Sequence, residues 1–329
     1  MTNQTHPSVS IIIPAKNEET MVPRLLGSIS RLNYPADRIE VILVDNGSTD
    51  STIALAEAAG ARVLSTPVGT IAHLRNTGVT QSTGEVLAFL DADMEVFPDW
   101  LASAVEKLAD PGVGAVGGLL HIPQDTTWVE KTWFKHVSLR PRHGKVAWLG
   151  SGNLLMRRDL FQEVGGWDAT LETCEDLDLC DRIKADYDLY HLETVAAVHH
   201  GGVKTLGELF RKELWRGKDT ANRLAKVWRS PRELQSFLFP LLHGLALIGL
   251  IWALLSGSPL WPAFVVGGVL FPLLRTLMGL RAHRDPRDIP SFFVVWFAYY
   301  TARAMAPLLR RGAMKRRGPQ SGPDQINPA

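Results

Sequence analysis

The chain has 329 residues, 46 % of them hydrophobic and 21 % charged, with a formal net charge of +1. This composition excludes wholesale disorder and collagen-like repeats, and the length leaves ample core for one large domain or two smaller ones. The near-zero charge conceals a split: residues 1–228 hold 23 Lys+Arg against 30 Asp+Glu, and residues 229–329 hold 12 against 4. An acidic body followed by a basic, apolar segment points to a membrane or polyanion partner for the latter.

Residues 1–7 form a polar tail without the apolar run of a signal peptide, so the body is expected on the cytoplasmic side. Val9 to Ile13 is a β-branched run and predicts a buried strand ending near Pro14. Glu19 to Leu32 carries apolar residues at helical spacing, and Glu40 to Val44 is a second strand ending at Asp45. Asp50 and Ser51 are N-cap candidates for a helix over 52–59. Arg62 to Leu64 predicts a third strand, Ile71 to Gln81 a helix, and Glu85 to Leu90 a fourth strand running into Asp91-Ala92-Asp93. Such alternation implies a mostly parallel sheet with helices on both faces, whose ligands bind beyond the strands' carboxyl ends. Three polar clusters meet there: Pro14 to Glu18, Asp45 to Gly47, and Asp91 to Asp93.

Asp91 and Asp93 are hard oxygen ligands two residues apart, suited to Mg²⁺ or Mn²⁺ bridging a diphosphate. Thr173 to Arg182 predicts a helix with an acidic first turn, either simple capping or a general base for an incoming hydroxyl. His199 and His200 follow a short strand over Val195 to Val198; they are either an ordinary polar strand end or a metal or phosphate contact. Cys174 and Cys180 match no zinc or redox spacing and suggest no disulfide scaffold, so a reducing compartment is the default.

Residues 123–148 mix Trp128, Trp133, Phe134 and Trp148 with His136, Arg140, Arg142 and His143; this segment is either a self-packed insertion or a face for lipid or phosphate. Residues 205–232 read as a basic amphipathic linker helix. No charge occurs between Glu233 and Arg275, a stretch of 41 residues. It is long enough for two spans, about 236–255 and 260–280, broken by Ser256-Gly257-Ser258-Pro259. A third apolar segment, 290–309, contains Arg303 and Pro307. Basic clusters before span one, after span two and after Leu309 all favour the cytoplasm. Two full spans satisfy them, so segment three is expected to be interfacial or re-entrant, with Trp296, Tyr299 and Tyr300 at the interface; a full third span is the alternative. Residues 310–329 form a basic tail expected to be disordered.

The motifs Ser10 to Glu19, Val44 to Asp50, Arg75 to Gly78, Gly84 to Asp93, and Gly165 to Asp168 with Glu175-Asp176 resemble, in order and spacing, the inverting family 2 glycosyltransferases. The likeness covers residues 8–220 and places a catalytic domain over 8–204. It implies an α/β GT-A nucleotide-diphospho-sugar transferase fold with a C-terminal helical membrane region over 233–309. By this resemblance Pro14, Glu18, Asp45, Arg75 and Asp91 serve the nucleotide-sugar, with a UDP-sugar favoured. Asp91, Asp93 and His200 serve Mg²⁺ or Mn²⁺, Asp176 is the catalytic base and Glu175 supports it. Gly150 to Asn153 looks like the loop under the donor sugar. The implied reaction moves one sugar to a hydroxyl of a lipid-linked or membrane-proximal acceptor at the inner membrane, with the catalytic domain facing the cytoplasm. Processive members often carry a Gln/Arg-x-x-Arg-Trp motif; here Leu214 stands at the inner Arg position before Trp215. A processive synthase and a non-catalytic nucleotide-binding scaffold are the competing readings. Nucleic acid is an unsuitable partner for the acidic body.

Overall fold

The structure is a computed structural model that describes residues 6–137, 143–217, 231–283 and 285–313. Arg140, Arg142, the linker residues 218–230 and the tail beyond 313 lie outside the described residues. The chain divides into two units, Met1–Thr126 with Val137–Gly202, and Thr127–His136 with Val203–Ala329.

The first unit is built on one nine-stranded sheet. Its strands are β1 (Val9–Ala15), β2 (Ile39–Asp45), β3 (Arg62–Ser65), β4 (Val86–Leu90), β5 (Met94–Val96), β6 (Val113–His121), β7 (Gly144–Val146), β8 (Asn153–Arg157) and β9 (Asp188–His199). The order is β3-β2-β1-β4-β8-β6-β9-β5, with β7 paired to β9. The first four in this order run parallel. β8 enters antiparallel between β4 and β6, so the sheet is mixed beyond the predicted parallel half. Helices α1 (Val22–Ile29), α2 (Thr52–Ala58), α3 (Ile71–Thr80), α4 (Trp100–Leu108), α6 (Arg158–Glu163) and α7 (Glu175–Ile183) cover it.

Strand alternation sorts the core into two layers. Val9, Ile11 and Ile13 of β1 and Val86, Ala88 and Leu90 of β4 pack with Leu25 and Leu26 of α1 and Trp100 and Leu101 of α4. Ile12, Ile42, Val44, Leu87 and Phe89 face the other way, onto Ala72 and Leu74 of α3, Leu160 of α6, and Leu179 and Ile183 of α7. Strands buried on both faces read as unbroken apolar runs. Each fully buried Ile or Leu contributes about 1.5–3 kcal/mol by removal from water.

The second unit holds α5 (Trp128–Val137), α8 (Leu206–Arg216), α9 (Pro231–Ser256), α10 (Trp261–His283) and α11 (Ile289–Ala313). Within these, Leu234–Ser256 and Trp261–Leu280 are long and apolar enough to cross a membrane, and are 17 % and 22 % buried. Their bounds coincide with the segments 236–255 and 260–280, and Gly257 takes the turn between them with φ +66°, a conformation that favours glycine. The third segment is one helix running through Pro307. Trp296 and Tyr300 are buried beside Phe239 and Phe271, and Trp133 approaches Trp296 at 6.1 Å between rings. The awkward charge Arg303 is compensated: its Nε donates to Glu213 Oε2 at 2.9 Å. Glu213, 1 % exposed, also accepts from Arg216 at 2.7 Å.

Candidate functional site

β1 and β2 run in register, so Ala15 lies beside Asp45 and their two outgoing loops are neighbours. Side chains lace them together. Asn17, at φ +56°, accepts from the Thr49 N–H at 2.8 Å, and its own N–H donates to Ser48 Oγ at 2.9 Å. The Glu18 N–H donates to Thr52 Oγ1 at 2.7 Å. Asp45 is buried, and its carboxylate accepts from the Gly47 N–H at 2.9 Å and the Ser48 N–H at 3.1 Å. It therefore shapes the loop that leaves β2. Pro14 is a buried strand residue opposite Val44. The Glu18 side chain stays half-buried beside the acidic edge; burial and the charges of Asp93, Asp50 and Asp91 push its carboxyl up to about 7.

β4 delivers Asp91 and the following turn delivers Asp93. Asp91 is fixed from its backbone, where its N–H donates to Gly152 O at 3.2 Å. Its side chain is fixed by Arg75, whose Nη2 donates to Asp91 Oδ1 at 2.7 Å. Arg75 Nη1 donates to Glu175 Oε1 at 3.0 Å. Arg75 is 1 % exposed and lies 5.2 Å from the centre of the Trp167 ring. Asn76 holds that Trp in place, its amide exchanging hydrogen bonds of 2.8 and 3.1 Å with the Trp167 backbone. The Arg75-Asn76 and Gly165-Gly166-Trp167 motifs are thus one assembly: a guanidinium strap over an aromatic floor, joining a strand-end carboxylate to the first turn of α7.

On α7, Glu175 also accepts from Ser151 Oγ at 3.0 Å. Asp176 Oδ1 accepts from the Leu177 N–H at 2.7 Å. Burial and the Glu175 charge push the Asp176 carboxyl up to about 6, against the pull of the Leu177 N–H, the Trp148 side chain and Arg75. Cys174 precedes them in the left-handed region, φ +64°. The bend turns the chain into α7.

The histidines fall differently from the sequence reading. His199 Nε2 stands 3.3 Å from Asp93 Oδ2. His200, expected beside the metal aspartates, places Nε2 3.1 Å from Glu95; its backbone N–H, not its ring, meets Asp93, at the carbonyl oxygen. His199, read from sequence with His200 as a strand end or a metal or phosphate contact, is the histidine that reaches Asp93, and Ser151, in the loop read as lying under the donor sugar, reaches Glu175. Strand alternation assigns adjacent histidines to opposite faces, and their register is invisible without β5. Two glycines are cut to fit the carboxylates: a Cβ on Gly152 would collide with Asp91 Oδ2, and one on Gly201 with Asp93 Oδ2.

A half-parallel α/β sheet flanked by helices, with acids gathered at its carboxyl ends, is the architecture of the GT-A fold. A family model described as glycosyl transferase family 2 matches residues 10–165. Glycosyltransferase AglE of Haloferax volcanii is 31 % identical over 229 residues, 65 % of this chain and 73 % of that protein. The chain belongs to glycosyltransferase family 2. A beta-monoglucosyldiacylglycerol synthase of a Nostoc species is 28 % identical over 64 % of this chain, which spans 48 % of that protein. Among solved structures, the Pyrobaculum calidifontis mannosyltransferase PcManGT in complex with GDP-Man and Mn²⁺ matches with TM-score 0.61 and 22 % identity, over 93 % of this chain and 88 % of the other. The fold is shared at that distance.

Proposed function

We propose that this enzyme transfers a single sugar from a nucleotide-diphospho-sugar to a hydroxyl of a membrane-proximal or lipid-linked acceptor, with inversion, Asp176 acting as general base. The observation that carries this reading is the Arg75 strap, which links a donor-side carboxylate, Asp91, to Glu175, the neighbour of the base. The Asp176 carboxyl, lifted to about 6, is ionised at neutral pH yet basic enough to take a proton from a hydroxyl in the transition state. Its partners hold the carboxylate at a fixed place, so attack follows without reorganisation. Glu18 and Asp45 bound the nucleoside side, Asp45 by holding the loop's N–H groups.

A divalent ion fits the donor side. Among the described residues no group of three or more His, Cys, Asp or Glu side chains makes a complete metal site. Mg²⁺ and Mn²⁺ commonly take one or two protein carboxylates and complete their shell with substrate phosphates. Asp93 with His199 supplies such a partial set, and the glycine clearance at 201 keeps bulk away from Asp93. When bound, the ion neutralises charge developing on the departing diphosphate. PcManGT is described with Mn²⁺ and GDP-Man, which supports a metal-assisted donor site; the base carried by this chain's donor, with UDP favoured from sequence, is decided by a nucleotide-sugar screen.

The apolar α9 and α10 attach the chain to the inner membrane, with the catalytic unit in the cytoplasm. A lipid product in the name of the Nostoc relative is consistent with an acceptor of that kind. Transfer of one sugar, rather than polymerisation, follows from Leu214; product length by mass spectrometry tests it, and a polymer ladder would refute it. Release of sugar from UDP- or GDP-sugars with Mn²⁺ tests the activity itself; nucleotide binding without turnover would favour a scaffold subunit.

A further inference from the structure

We infer that Arg275, together with Arg216 and Arg303 around Tyr299, forms a binding site for the phosphate group of a membrane lipid. The inference rests on the membrane-attached reading above. Arg275 lies inside the apolar helix stretch Trp261–Leu280, about 7 Å short of its end at 1.5 Å per residue. A cation at that depth is expensive unless an anion accompanies it. Its guanidinium lies 5.0 Å from the Trp296 ring centre. Among the described residues neither Arg275 nor the Tyr299 hydroxyl has a hydrogen-bond partner, and no carboxylate pairs with Arg275.

Two more guanidiniums stand nearby. Arg303 lies 5.4 Å from the Tyr299 ring centre, and the charges of Arg303, Glu213, Arg275 and Arg216 all act on the Tyr299 phenol. Glu213 is already shared by Arg216 and Arg303. Arg275, with no carboxylate partner among the described residues, adds a positive charge beside the Tyr299 phenol. A phosphate oxyanion matches this set: guanidinium forks bind it through paired charge-assisted hydrogen bonds, and a phenol adds a third donor. Exposed Leu274, Leu277 and Met278 next to Arg275 on α10 favour a phosphate borne on acyl or prenyl chains.

The test uses the full chain in a phosphate-free maltoside detergent. Thermal stabilisation is titrated with dioctanoyl phosphatidate, farnesyl phosphate, dioctanoylglycerol and inorganic phosphate. Both phosphate lipids should stabilise the wild type, and dioctanoylglycerol should not. Arg275→Gln should weaken their apparent affinity about tenfold, the weight of one charge-assisted contact. Arg287→Gln, an exposed arginine of the same unit, should leave it unchanged. Tighter binding of farnesyl phosphate than of phosphatidate would assign the site to a prenyl-type carrier, and equal binding to a bulk headgroup. Equal stabilisation by dioctanoylglycerol, equal affinity for inorganic phosphate, or wild-type affinity in Arg275→Gln would overturn the inference. Vesicle flotation keeps the two readings apart: a wild-type chain that fails to float defeats membrane attachment itself. A chain that floats but ignores phosphate defeats the Arg275 site alone.

Discussion

Arg75 has two carboxylates within hydrogen-bond reach and almost no solvent. Removing it leaves Asp91 and Glu175 facing each other's surroundings without a counter-charge. Breaking a buried pair of this kind costs about 3 kcal/mol or more, though Asp91 is partly exposed and recovers some hydration. Arg75→Met should lower the melting temperature and abolish turnover; Arg75→Lys, which keeps the charge but loses the two-pronged fork, should restore stability more than activity. Calorimetry with donor-hydrolysis kinetics reads both. Glu18 behaves in the opposite sense. Its carboxyl is pushed up to about 7, so its folded-state value exceeds the unfolded one. Stability from this group is fully present below the unfolded value and is lost as pH rises through about 7. Glu18→Gln should therefore raise the melting temperature above neutral pH and leave it nearly unchanged in mild acid. A variant less stable than wild type at alkaline pH would contradict the crowding argument.

At the scale of elements, the strands that could be read from sequence are those buried on both faces. β1, β2 and β4 are continuous apolar runs, and each ends in the acids that mark the site. β6 escaped notice because its Val-Gly-Ala-Val-Gly-Gly sequence has little strand propensity. Packing explains those glycines: a Cβ on Gly118 would strike the Val195 carbonyl, and one on Gly114 would strike Ile183 of α7. Gly118→Ala should thus yield misfolded protein, seen as loss of a cooperative thermal transition. The candidate acids were legible for the same reason as the strands: carboxylates at the ends of apolar runs have few structural uses. Which acids Ser151 and His199 contact was not, since β8 and β9 set those contacts. The glycine cradle makes a separable prediction. Gly201→Ala forces Asp93 aside and should weaken Mn²⁺ activation about tenfold or more, while nucleotide binding without metal persists; isothermal titration with and without Mn²⁺ checks it.

At the scale of the whole chain, the net charge of +1 is the sum of an acidic catalytic unit and a basic helical one. The acids gather at the carboxyl edge of a sheet. The positive charges flank or enter apolar helices, and the most puzzling one, Arg303, is held by Glu213. The segment beyond Ile289 therefore packs as a helix within its unit, and its charge no longer decides topology alone. If α9 and α10 are membrane spans, the full chain should co-float with liposomes at high salt, where purely electrostatic adhesion is screened. Recovery in the unbound fraction would remove the membrane from the account.

The central claim is that Asp176 is the base. The direct measurement is the pH dependence of sugar transfer or release from the preferred nucleotide-sugar, with Mn²⁺, by the detergent-solubilised full chain and by Asp176→Asn. A base whose carboxyl titrates at about 6 predicts wild-type turnover that falls as pH drops below that value. Asp176→Asn should bind nucleotide normally, turn over about a hundred- to ten-thousand-fold more slowly, and lose that acid limb. Undiminished turnover in Asp176→Asn, or the same acid limb with Asp176 gone, would place the base elsewhere.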